Sequence, residues 1–246
     1  AHDNVVGAGG VGAITVYVPL QFFCCRNNGL ALPLIALQYH DVRLEFNFSI
    51  ADNMLNDTAD NDPVISNVSL LCNYVYLDSE ERKKFAQNSH EYLIEQVQYH
   101  GEEAVTSGAT SNIRLNFNHP CKELVWTTKI AQTTTAGRFD DFVEGTSTAL
   151  LKLNGHDRFD VETAKYFGSV QPLQHHTRTP QTGIYCYSFA LNPEEHQPSG
   201  TCNFSRIDNA QLQVAVQNSA TRLRIYALNY NVLRIMSGMG GLAYSN

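Results

Sequence analysis

Hydrophobic and polar residues alternate along most of this chain with the period of strands rather than helices. The pattern is plainest over Val42 to Ile50, where Val42, Leu44, Phe46, Phe48 and Ile50 share one face and Arg43, Glu45, Asn47 and Ser49 the other. Successive side chains of a strand point to opposite faces, so this segment is predicted to be a half-buried strand. Thr15 to Cys24 is β-branched and aromatic, and Val68 to Leu77 is a third apolar run. The charged Asp78-Ser79-Glu80-Glu81-Arg82-Lys83-Lys84 follows it. Asp78 three residues ahead of Glu81 has the form of a helix start, which predicts one short helical turn ending at Phe85.

From about Glu91 onward eight strands are expected: Tyr92–Tyr99, Asn112–Phe117, Leu124–Ile130, Thr148–Leu153, Phe167–Leu173, Gly183–Leu191, Ala210–Val216 and Thr221–Tyr230. The fourth ends at Asn154-Gly155, a hairpin-turn dipeptide. Only Val161 to Tyr166 reads as locally helical. Many short antiparallel strands at this spacing predict a sandwich or jelly roll. There is also an internal echo. Strand (Thr15–Cys24), polar turn, compact turn (Leu32–Leu37), strand (Val42–Ile50), loop and strand (Val68–Leu77) recur in order as Gly183–Leu191, a polar loop, Cys202–Ile207, Ala210–Val216, a loop and Thr221–Tyr230. Such an echo suggests two copies of one domain, the first represented only by its end.

Composition narrows the functional classes. The chain has 246 residues, 43% hydrophobic and 17% charged, enough for one large domain or two small ones. Its 17 Lys and Arg against 24 Asp and Glu give a net charge of -7, and no basic run exceeds Arg82-Lys83-Lys84. Binding a phosphate backbone needs clustered cations, so no direct contact with nucleic acid is expected. No stretch approaches the roughly 18 consecutive apolar residues of a membrane span. The Gly-rich start lacks the basic-then-apolar pattern of a signal peptide. Cysteines 24, 25, 72, 121, 186 and 202 form no C-x-x-C pair. They read as buried free thiols in a reducing compartment.

The candidate chemical groups do not assemble into a catalytic motif. His175-His176 with His196 invites a metal reading, but no H-x-H or H-x-x-x-H spacing exists and the pair lies beside Thr177, Arg178 and Pro180 in a polar loop. Solvated loop histidines and no metal are expected. Glu194-Glu195 and Asp140-Asp141 are sequence neighbours in loops, whereas acid–base work needs two carboxyls in differing environments across a cleft. Gly238-Met239-Gly240-Gly241 lacks the Lys-Ser/Thr ending and following helix of a phosphate loop. A glycine-rich turn that lets the C-terminal tail pack closely is expected instead. No G-x-S-x-G elbow occurs. The expectation is therefore no enzyme and no cofactor. Asn47, Asn56, Asn67 and Asn203 each begin an N-x-S/T sequon and are candidate glycosylation sites, Asn56 being the best placed, in the polar loop Asp52 to Asp62. Asp157-Arg158 and Arg206-Ile207-Asp208 are candidates for ion pairs between strands or subunits. Trp126 with Tyr185, Tyr187 and Tyr226 offers the alternative of a glycan-binding jelly-roll module, which needs exposed aromatics on one sheet face.

Five blocks are more specific than pattern: GLALPLIALQYH over Gly29–His40, YLDSEERKKFAQNSHEYLIEQVQ over Tyr76–Gln98, IRLNFNHP over Ile113–Pro120, PSGTCNFSRIDNA over Pro198–Ala210, and NYNVLRIMSGMGGLAYSN over Asn229–Asn246. In this order they resemble the major capsid protein of the nucleocytoplasmic large DNA viruses, of the chlorella-virus and phycodnavirus type. The resemblance implies an all-β double jelly roll of two eight-stranded antiparallel sandwiches. Residues 1–88 would then hold the last three strands of the first roll and a linker, and residues 89–246 the complete second roll. The five opening strands of the first roll have no counterpart, which implies a piece of a longer chain or a segment that leans on a partner. The implied function is a subunit of an icosahedral shell in the virion, assembled in the host cytoplasm. Its partners would be further copies in a pseudo-hexagonal homotrimer, neighbouring capsomers, and minor capsid and penton proteins. Loops Gln132–Glu144 and Gln174–Thr182 are expected at the outer surface or at subunit contacts.

Overall fold

The computed structural model describes residues 15–48, 65–129, 142–218 and 220–244. The chain divides into two compact units, Ala1–Leu32 and Pro33–Asn246. In the first, a single helical turn, α1 (Phe23–Arg26), leads into a 3-10 turn at Asn28–Leu30. Asn27 caps that turn, its Oδ1 accepting the Gly29 N–H at 2.8 Å.

The second unit contains a helix, α2 (Ser79–Gln87), and a two-sheet sandwich. Asp78 starts α2 by accepting the N–H groups of Glu80 and Glu81 at 3.0 and 2.9 Å, which satisfies two of the donors every helix start leaves free. The strands are β1 (His90–Ala104), β2 (Thr110–Arg114), β3 (Pro120–Lys129), β4 (Thr146–Leu153), β5 (His156–Asp157), β6 (Glu162–Thr163), β7 (Ile184–Ser188), β8 (Cys202–Asn203), β9 (Ala210–Val216), β10 (Arg222–Met236) and β11 (Met239–Leu242). One sheet runs β1-β10-β3-β7, with β11 on β10 and β8 on β3. The other runs β2-β9-β4-β5, with β6 also on β4. All pairs are antiparallel. The first strand thus pairs with the last long strand and the second with the last but one. That wrapping defines a jelly roll.

Alternation places the core between the sheets. In β9, Ala210, Leu212, Val214 and Val216 are buried while the residues between them are half-buried. Leu223, Ile225 and Ala227 of β10 meet them from the opposite sheet, together with Leu124 and Trp126 of β3. An aromatic chain fills the space between. Trp126 lies 5.1 Å from Phe167 and 5.9 Å from Tyr185, and Phe159 touches both Phe167 and Tyr187. Two turns close hairpins at positive φ, as two-residue hairpin loops require. Asn154 and Gly155 (φ 52° and 82°) join β4 to β5, and Ser237 and Gly238 (53° and 82°) join β10 to β11.

Seven of the eight strands expected after Glu91 form. Phe167–Leu173 does not. It is helical, a π-turn at Tyr166–Val170 followed by α3 (Gln171–His175). Its buried residues are Phe167, Gln171 and Pro172, and the four-residue step from Phe167 to Gln171 is helical spacing. Pro172 has no N–H to give a ladder but suits the first helical turn. The helical stretch expected over Val161–Tyr166 starts later, because Glu162 and Thr163 pair with β4. The turn expected after Asp78 extends to Gln87 rather than Phe85. The C-terminal glycines form a turn and the strand β11, which the pattern had not revealed. Residues 38 and 39 pack on that turn, where a Cβ on Gly238 would lie 2.5 Å from the Tyr39 ring, and the Tyr39 N–H donates to the Gly238 carbonyl at 2.9 Å.

The three N-terminal strands are the larger correction. Among the described residues none of Thr15–Cys24, Val42–Phe48 or Val68–Leu77 joins a sheet, and Cys24 lies in α1. Ile50 falls outside the described residues. The alternation is present in the sequence, but a strand is defined by a partner edge, and no described residues supply one here. The compact turns of the echo do match, as 3-10 turns at Leu34–Ala36 and Phe204–Arg206.

Candidate functional site

Val42, Leu44, Phe46 and Phe48, the face expected to be buried, are each 44–58% exposed. Val68, Leu70, Leu71, Tyr74, Val75 and Tyr76 are exposed as well. An apolar surface on this scale marks a contact with something else. By contrast most of the aromatic set of a sugar platform is inside. Trp126 is fully buried and Tyr185 and Tyr187 nearly so, while Tyr226 is half-buried and stacks on the exposed Tyr99 at 4.9 Å. Three of the four rings are withdrawn from the surface, and the glycan-binding alternative is not supported.

The second candidate lies on the face of β3 and β7 turned away from the core. Across the β3–β10 pair the register slips between Leu228 and Asn229, so Lys122 is an extra residue and the strand bulges. The Lys122 side chain, 1% exposed, turns to Glu95 Oε1 at 2.6 Å and donates to the Pro193 carbonyl at 2.7 Å, with the Tyr230 ring beneath. The next residue, Glu123, is also buried. Its Oε1 lies 2.5 Å from His176 Nε2, while His176 Nδ1 faces Glu194 Oε1 at 3.1 Å. Glu194 Oε2 accepts the Thr177 N–H at 3.1 Å. Cys186 on β7 is buried beside Glu123, and its Sγ approaches the Phe167 carbonyl at 3.7 Å.

Electrostatics follow this packing. The hydrogen bond to Glu123 raises the His176 pKa, against the opposing effect of burial. Bonding to Thr177 lowers that of Glu194. Burial pushes the thiols of Cys121, Cys186 and Cys202 up.

His176 is therefore not a solvated loop residue, because it bridges two carboxylates. His175 Nδ1 meets the Leu191 carbonyl at 2.9 Å, and His196 is exposed. The third ligand expected for the pair was His196, whereas the groups around His176 come from β3, β7 and the 193–194 loop. Glu123 and Cys186 had no local signal, since a buried Glu inside an apolar strand shows its role only once strands pair.

All six cysteines are free, but Cys25 and Cys72 are exposed rather than buried. Asp157 makes an inter-strand ion pair with Lys152 at 3.5 Å. Asp140-Asp141 and Asn56 lie outside the described residues, as does most of the loop Gln132–Glu144. Asn47 is exposed, and Asn67 adopts φ 53°. Asn203 is half-buried, its Oδ1 accepts the Ser205 N–H at 3.1 Å, and Ser205 Oγ accepts the His119 N–H at 2.8 Å. No helix among the described residues is long and apolar enough to cross a membrane.

The family pattern described as the large eukaryotic DNA virus major capsid protein matches residues 81–241, and that of the major capsid protein N-terminus matches residues 4–78. The chain belongs to the major capsid protein family of large DNA viruses. The major capsid protein of Pyramimonas orientalis virus is 48% identical over 94% of this chain and 62% of its own length. That of Paramecium bursaria Chlorella virus 1 is 42% identical over 94% of this chain and 66% of its own. The chain thus spans somewhat under two thirds of these curated relatives. The crystal structure of PBCV-1 VP54, fitted into a reconstruction of the virophage Sputnik, superposes with a TM-score of 0.74 at 37% identity, covering 94% of this chain and 70% of that one. The fold class of this capsid-family chain is accordingly the all-β double jelly roll, and its two described sheets lie between residues 90 and 242.

Proposed function

We propose that this chain is a structural subunit of an icosahedral virion capsid, standing as three copies in a pseudo-hexagonal capsomer. In this reading residues 1–88 are the end of the first jelly roll and a linker, and residues 89–246 are the complete second roll. The observation that carries it is the half-exposed alternating face Val42, Leu44, Phe46 and Phe48, placed in the chain before a finished sandwich. Such a face gains roughly 25 cal/mol per Å² when covered by complementary strands or subunits, and in a shell that burial is the function. Neighbouring capsomers, with minor capsid and penton proteins, complete the set of partners. Gln174–Thr182 and Gln132–Glu144 serve as outer or intersubunit loops. The host cytoplasm is the site of assembly.

Sedimentation of the full-length protein that carries this chain, across a wide concentration range, tests the reading. A species of three times the monomer mass is expected at high concentration, with an interface above about 1,000 Å². A full-length protein that stays monomeric throughout overturns the trimer.

A further inference from the structure

Glu123, His176 and Cys186 each bring one ligand atom into a group whose members all lie within 4.8 Å of one another. We propose that these three side chains form a zinc-binding site on the outer face of β3 and β7, with Glu194 holding the imidazole in place. Two of the three are buried, at 3% and 5% exposure for Glu123 and Cys186.

The donor set chooses the ion. A thiolate, an imidazole and a carboxylate are the ligands of Zn²⁺, whereas Ca²⁺ and Mg²⁺ take oxygen-only shells. Zinc bonds of about 2.0–2.3 Å in a tetrahedron put ligand atoms roughly 3.3–3.8 Å apart. Glu123 and His176 need to part by less than about 1 Å from their present hydrogen bond, and the sulfur to close by a similar distance, which are rotamer-scale movements.

The fourth feature is the most specific. A metal-bound histidine nearly always gives its other ring N–H to a carboxylate or carbonyl, which fixes the tautomer. Here Nε2 faces Glu123, while Nδ1 already meets Glu194 at 3.1 Å, and Thr177 N–H fixes the second oxygen of that carboxylate. A plain buried ion pair would need neither Cys186 nor Glu194. On binding, zinc displaces the Cys186 thiol proton and the proton shared between Glu123 and His176, and both pass to solvent. The fourth position is left to water or the second Glu123 oxygen. The ion would staple the 175–177 segment to β3 and β7.

The test uses the whole purified chain freed of metal, titrated with Zn²⁺ and with Co²⁺ as a spectroscopic probe. One equivalent per chain is expected, with thiolate-to-cobalt charge-transfer absorption. That absorption should persist when Cys24, Cys25, Cys72 and Cys202 are all replaced by Ser, and vanish in Cys186→Ser and His176→Gln. Glu194→Gln should weaken zinc binding about 10–100-fold, whereas His175→Gln should leave it unchanged. Disappearance of the absorption in the four-cysteine variant overturns the site, and so does unchanged zinc affinity in Cys186→Ser. If Cys186→Ser fails to fold, the four-cysteine variant and His176→Gln decide together: absorption that persists in the first and vanishes in the second supports the site, and absorption unchanged by His176→Gln overturns it.

Discussion

Replacing Lys122 by Met removes the ammonium that meets Glu95, the Pro193 carbonyl and the Tyr230 ring. The Lys122 side chain is 1% exposed and that of Glu95 14%, so water screens the pair little. Breaking a buried ion pair from one side typically costs about 3–5 kcal/mol, because the remaining carboxylate stays buried after the ammonium's attraction is lost. In a domain of this size that lowers the thermal midpoint by roughly 10 °C. Glu95→Leu alone should cost a similar amount, since it strands the ammonium. The double variant Lys122→Met/Glu95→Leu removes both charges and should fall within about 2 kcal/mol of the parent. Urea unfolding followed by the fluorescence of Trp126, the single tryptophan, reads all four proteins. The reasoning fails if Lys122→Met costs under about 1 kcal/mol. It fails equally if the two single costs simply add in the double variant.

Four further variants test the core, a close approach and the apolar face. Trp126→Ala should cost about 3–5 kcal/mol, as the residue is fully buried against Phe167 and Tyr185. Trp126→Phe should cost far less by circular dichroism, because the indole N–H has no hydrogen-bond partner among the described residues to lose. Gly145→Ala should destabilise by about 1–3 kcal/mol in denaturant, since the new methyl would overlap Ala220 and lie 2.7 Å from Thr128 Oγ1. Leu44→Glu with Phe46→Glu should leave the unfolding of the sandwich within about 0.5 kcal/mol of the parent while abolishing self-association in sedimentation. A large loss of stability there would place the face inside the folded unit rather than at a contact.

How much could be read from sequence depended on whether a signal was local. Ala210–Val216 matched to the residue, because strict alternation, half-buried flanks and clear ends all coincide. Asn154-Gly155 announced its hairpin, as both positions need positive φ. Phe167–Leu173 misled because a short apolar run does not distinguish strand from helix, and only Pro172 hinted at the outcome. β11 was hidden by its glycines, whose turn is explained by Tyr39 about 200 positions away. The 42–48 and 68–77 segments carry strand patterns, yet pairing is a long-range event that pattern cannot supply. The polar cluster was the least legible. Glu123, Cys186 and Glu194 meet His176 from three separate parts of the chain, and the Lys122 bulge that sets Glu123 in place appears only when β3 pairs with β10.

The central claim is that residues 90–242 form one roll of a double jelly-roll capsid subunit whose preceding segments pair within the assembled shell. Electron cryomicroscopy of the virion that carries this chain, at a resolution that traces side chains, tests it most directly. The account predicts trimeric capsomers with Trp126 buried in one roll of each subunit, and with Val42–Phe48 and Val68–Leu77 hydrogen-bonded into the sheets of another. A shell built from a different protein, or these two segments lying unpaired in solvent, would contradict it.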